Sequence, residues 1–212
     1  MSLVTTRHTT GRRGIRSWRL LAILVLVTAS LLLAVPGAAT AHVKAKYRAE
    51  YTGQLTSFQK TFGSFAVAYD AAKDDANIRA ETMAPWVGDP ASHEQLVAWE
   101  NDALTIYNRC KALPDEWQHA IALKLDAWSG KASRYFVSKK DQRQFRQQAQ
   151  SIKRDFGWLM MGHTNVYESY QALGVDPPAL ELAAQRIADG DASVATAHEG
   201  CDRQIAALKQ LR

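Results

Sequence analysis

The sequence predicts an all-α protein, an elongated antiparallel bundle of four long helices plus one or two shorter C-terminal helices. Three observations lead there. Residues 42–212 hold 28 alanines against 14 valines and isoleucines together, and alanine favours helix where β-branched residues favour strand. Apolar residues recur at steps of three and four, and no convincing period-2 run appears. The five prolines beyond residue 41 (Pro85, Pro90, Pro114, Pro177 and Pro178) all fall between periodic segments, where proline is tolerated.

The first long helix is marked by Val43, Tyr47, Tyr51, Leu55, Phe58, Phe62, Phe65 and Tyr69, one amphipathic stripe that is expected to end near Lys73. Pro85, Gly88, Asp89 and Pro90 then make residues 76–91 a partly irregular connection with a helical turn near Arg79. Ser92 with Gln95 three residues on reads as a capping box for a second helix striped by Leu96, Trp99, Ala103, Ile106, Cys110 and Leu113. Pro114 opens a third helix, with Asp115 and Glu116 suited to its positive end and a stripe running from Trp117 to Tyr135 across a weak point at Gly130. Ser138 and Asp141 form a capping pair for the fourth, whose stripe from Phe145 to Leu173 alternates steps of four and three until Gly174 stops it. Pro177-Pro178 opens a short fifth helix through Ile187. Asp189-Gly190 is read as a turn before a sixth helix carrying Val194, His198, Cys201, Ile205 and Leu208.

Residues 1–41 read as a secretory signal peptide, ahead of one helical-bundle domain over residues 42–212. Five arginines (Arg7, Arg12, Arg13, Arg16, Arg19) precede an apolar run from Leu20 to Val35, and Ala39 and Ala41 supply the small residues of an A-x-A cleavage site. Sixteen residues at about 1.5 Å each span roughly 24 Å, short of the roughly 30 Å hydrocarbon core. Cleavage after Ala41 is therefore expected, with cleavage after Ala39 or retention as an anchor the alternatives. Arg16 stands where a twin-arginine signal wants an apolar residue, and no lipid-bearing cysteine follows the run. The general secretory route of a bacterium fits best. The protein is expected to be secreted or held in the cell envelope, touching membrane only through an uncleaved signal segment.

Removing that segment changes the charge argument. The whole chain carries 26 Lys and Arg against 21 Asp and Glu, but the five arginines above account for the excess, so residues 42–212 are neutral. A neutral chain without aromatic interleaving on its one basic run argues against nucleic acid. That run is Lys139, Lys140, Arg143, Arg146, Lys153 and Arg154 against Asp141 alone. It fits either a solvated helix face or a surface for anionic lipid or wall polymer.

Chemistry-bearing residues are few. Cys110 and Cys201 lie on helix stripes, and two cysteines in an oxidising compartment are expected to form a disulfide. His163 and His198 interrupt apolar stripes, and His42 would stand first in the mature chain if cleavage follows Ala41. Amine and imidazole nitrogens there would suit Cu(II). His42, His163 and His198 are thus the candidate metal ligands, although no C-x-x-C, H-x-x-x-H or H-E-x-x-H spacing supports them. No haem attachment site and no nucleophile motif occurs, so no cofactor is expected and no catalytic residue is named. The sequence favours a secreted or envelope-associated bundle with a binding or structural role and an unidentified protein or envelope component as partner. A copper-like metal-binding bundle is the alternative, with catalysis behind both.

Overall fold

The computed structural model describes residues 42–212 except Val175. The expected signal segment, with its two cleavage points, lies outside the described residues. The described residues form one compact unit. About 90% of the described chain is helical and none of it forms a strand; a lone bridge pairs Val43 with Phe136. The helices are α1 (Arg48–Met83), α2 (His93–Cys110), α3 (Leu113–Gly130), a single turn α4 (Ala132–Tyr135), α5 (Lys139–Ala172) and α6 (Pro177–Gln210). Short 3-10 turns fill Ala45–Tyr47, Ala84–Trp86 and Pro90–Ser92.

These elements make four columns. Helix α1 rises, α2 and α3 descend end to end, α5 rises and α6 descends. Side-chain pairs fix the directions. Tyr51 meets Phe145, Phe62 meets Phe156 and Phe65 meets His163, a near-constant offset that makes α1 and α5 parallel. Trp128 packs on Phe145 at 4.8 Å while Lys153 binds Asp126, so α3 runs against α5. The Tyr51 hydroxyl donates to the Leu208 carbonyl and the Tyr69 hydroxyl to Asp191, so α6 runs against α1. A column of 34–36 residues is about 50 Å long.

The all-α bundle stands as expected, but the division into helices differs. Helix α1 passes Lys73 and continues to Met83 because Ala76 and Met83 extend the buried stripe at seven-residue spacing from Tyr69. One acid there finds partners: Asp75 accepts from Arg79 and from the Tyr170 hydroxyl. The third predicted helix breaks at its weak point, α3 ending at Gly130 with Lys131 between it and α4. The two C-terminal helices are one. Gly190 lies inside α6, and a Cβ on it would sit 2.8 Å from the Tyr69 hydroxyl and 3.2 Å from the Gly162 carbonyl oxygen. A glycine that reads as a turn is there to let α5 and α6 approach.

The caps divide as well. Ser138 caps α5 through bonds from the Lys140 and Asp141 amides, as expected. Ser92 makes no cap bond; its hydroxyl donates to Asp89, whose other oxygen caps the preceding 3-10 turn. Gly174 is no left-handed stop, since among the described residues only Gly88 has positive φ.

Candidate functional site

The described chain begins in a fixed position at one end of the bundle. Val43 is buried, its amide donating to the Leu211 carbonyl at 3.1 Å, and the Lys44 amide donates to the Tyr135 carbonyl at 2.9 Å. His42 Nδ1 lies 2.9 Å from Asp141 Oδ2 in the first turn of α5. Beneath this seam Tyr51, Trp128, Tyr135, Phe136 and Phe145 pack edge to face, an arrangement favoured by ring quadrupoles.

The candidate metal ligands are not brought together. His163 is fully buried between Phe65, Tyr69, Trp117 and Tyr167, with Nε2 at 2.9 Å from the Phe65 carbonyl and Nδ1 unpartnered. Burial holds its pKa below the ordinary imidazole value. His198 is exposed and meets Phe62 edge to face, with 5.1 Å between ring centroids. His42 pairs with position 141, twenty-two residues and about 33 Å along α5 from His163. Metal–nitrogen bonds of about 2 Å cannot bridge that. Among the described residues no group of three His, Cys, Asp or Glu could hold an ion.

The expected Cys110–Cys201 disulfide is likewise absent: both are free thiols. Cys110 lies beside Tyr167 and Cys201 beside Asp155. Those α5 positions are twelve residues, about 18 Å, apart, against the roughly 4.4–6.8 Å between Cα atoms that a bridge needs. Two stripe positions on columns that run the same way share a core without sharing a level. Burial pushes the Cys201 thiol up to about 12, with the Asp155 and Asp202 carboxylates adding to it, so it is a packing residue, not a nucleophile.

Asp155 escaped the sequence reading. It is buried, its Oδ2 has no partner, and burial raises its pKa while Arg154 and Arg203 oppose the shift. It fills the space over Gly200, where a Cβ would come within 2.5 Å of its Oδ1. Nearby, an open groove of about 420 Å³ runs along α5 at Arg154, Trp158 and Met161 and is edged by Asp115 and Gln118. No catalytic constellation converges in it.

The larger feature is electrostatic. Phe65, Trp117 and His163 share one layer across the columns, with Val194 beside Gly162 completing it. On the side of that layer holding the chain's entry, residues 42–64, 118–162 and 195–212 carry 16 Lys and Arg against 6 Asp and Glu, net +10. On the other side, residues 66–116 and 164–193 carry 5 against 15, net −10. The neutral stretch 42–212 is thus a dipole with a basic and an acidic pole. The blocks are visible in the sequence, but only the up-and-down topology stacks them at opposite ends.

Comparison with protein-family models, with curated proteins and with solved structures finds no match.

Proposed function

We propose that this protein is an exported, cell-envelope-associated helical bundle of a bacterium, acting as a binding or structural element. The observation that carries the reading is the charge polarity: +10 and −10 at the two ends of columns about 50 Å long. Potentials of that kind orient a molecule against a charged partner. The arginine-rich segment with its apolar run and A-x-A end supports export. No helix among the described residues is long and apolar enough to cross a membrane, so after cleavage the bundle would be held by its surface. The test is expression of the full chain in a bacterial host, followed by intact mass and protease accessibility. Mature protein beginning at His42, or at Thr40, and reached by protease outside the inner membrane is expected. Unprocessed chain kept in the cytoplasm would overturn the proposal.

The metal reading keeps one observation in its favour. The His42 imidazole and the Asp141 carboxylate, 2.9 Å apart, supply two donors, which an α-amino group freed by cleavage after Ala41 would make three. Stoichiometric copper in processed protein, lost in Asp141→Ala, is its signature; copper-free protein that fails to bind added Cu(II) removes it.

A further inference from the structure

We infer that the basic pole is a docking face for an anionic lipid surface, an inference that rests on the envelope reading and adds the partner. Lys139, Lys140, Arg143 and Arg146 are exposed on the first turns of α5 and make no ion pair among the described residues. They lie on the face opposite Phe145, Ala149 and Ile152, which are buried.

The fold gains nothing from these four. Lys139 and Arg143 are four residues apart and Arg143 and Arg146 three, so like charges face each other. Lys139 and Lys140 also stand at the positive end of the helix dipole. Several cations elsewhere are paired. Lys73 binds Asp191, Arg79 binds Asp75 and Asp102, Lys131 and Arg134 hold Glu50, Lys153 binds Asp126, and Arg186 binds Glu168. A cluster that opposes its own helix and lacks internal partners is directed outward.

Two further observations choose lipid over a soluble polyanion. Val137, beside Lys139, is 77% exposed, so the pole combines cations with an apolar side chain, the pairing that binds a headgroup interface. The chain also enters at this pole. His42 is held on Asp141, and only the six residues 36–41 separate it from the apolar run Leu20–Val35. Six residues reach at most about 20 Å. While that run is engaged in a membrane, the basic pole is the end kept within reach of the headgroups. Cleavage would leave it there, retained by charge.

The test uses residues 42–212, which carry the described core, with vesicles of pure phosphatidylcholine or with 30% phosphatidylglycerol. One variant, Lys139→Gln/Lys140→Gln/Arg143→Gln/Arg146→Gln, removes four charges from the pole. A control, Arg109→Glu/Lys111→Glu, changes net charge by the same amount on the acidic side. Circular dichroism confirms that both fold. Since one cation near an anionic leaflet is worth about fivefold, the pole variant should lose at least about tenfold in binding to phosphatidylglycerol vesicles and the control less than about twofold. Binding should also fall in high salt. Equal loss in both variants, no preference for phosphatidylglycerol, or stronger binding to soluble polyphosphate than to vesicles would overturn the inference. Any of these with correctly exported protein leaves the envelope reading standing; cytoplasmic, unprocessed protein removes that reading whatever the vesicles show.

Discussion

Replacing Gly162 by alanine tests the central helix crossing. A methyl built there would lie 2.4 Å from Val194 Cγ2, 3.2 Å from the Gly190 carbonyl oxygen and 3.5 Å from the Tyr69 ring. None of these yields cheaply. Valine has essentially one rotamer in a helix, the carbonyl belongs to the backbone of α6, and Tyr69 is pinned by its bond to Asp191. Glycine to alanine inside an unobstructed helix gains about 1 kcal/mol, whereas overpacking a core costs about 1–3 kcal/mol. With a stiff side chain and a carbonyl both in the way, the upper part of that range applies and the net loss is about 1–2 kcal/mol. At about 2–4 °C per kcal/mol for a domain of this size, the midpoint should fall by about 2–8 °C. Gly63→Ala on α1, where no atom lies within 4 Å of the new methyl, should raise it by about 2–4 °C. Val194→Ala removes the obstruction, so the double variant Gly162→Ala/Val194→Ala should be more stable than the sum of the singles by about 1 kcal/mol or more. Thermal and urea unfolding followed at 222 nm measure all four. A Gly162→Ala protein as stable as Gly63→Ala would show that α5 and α6 do not approach this closely.

Other consequences are as direct. His163 is neutral in the fold and its pKa is depressed by burial, while the unfolded chain takes up the proton near pH 6.5. The unfolded state then binds more protons, so stability is full above about pH 6.5 and declines as pH falls below it. His163→Phe should flatten that limb in urea melts between pH 7.5 and 5.5, and an unchanged limb assigns it elsewhere. A thiol reagent should find two thiols in denatured, non-reduced protein. In native protein it should find half-buried Cys110 reactive and buried Cys201 silent, and zero thiols on denaturation would contradict the free cysteines of the structure. Ser138→Ala removes the cap that accepts from the Lys140 and Asp141 amides and should cost about 1 kcal/mol, seen as a lower urea midpoint. No change would mean that the α5 end is held by Asp141 and His42 alone.

How much of this was legible in the sequence depended on whether a local rule sufficed. Helix content followed from alanine abundance and from three-and-four spacing, because burying one stripe is a demand each segment makes alone. The Ser138 cap and the proline start of α3 were readable for the same reason: their partners lie within four residues. Glycines misled in proportion to their distant neighbours. Gly130 does end a helix, while Gly190 makes room for Tyr69 and Gly162, more than a hundred residues and nearly thirty residues away. The site followed the same division. That Cys110, Cys201 and His163 would lie on helix stripes was written in the periodicity, whereas His198, placed on a stripe by the same spacing, is exposed; levels along the columns were not written there, and level decides whether two side chains can share a bond or an ion. Charge shows it most clearly. The residue count alone determined that residues 42–212 are neutral. Only the up-and-down path, in which α2 and α3 form one column, gathered 16 cations at one end and 15 acids at the other, because electrostatic potential depends on where charges lie in space and not on their order along the chain.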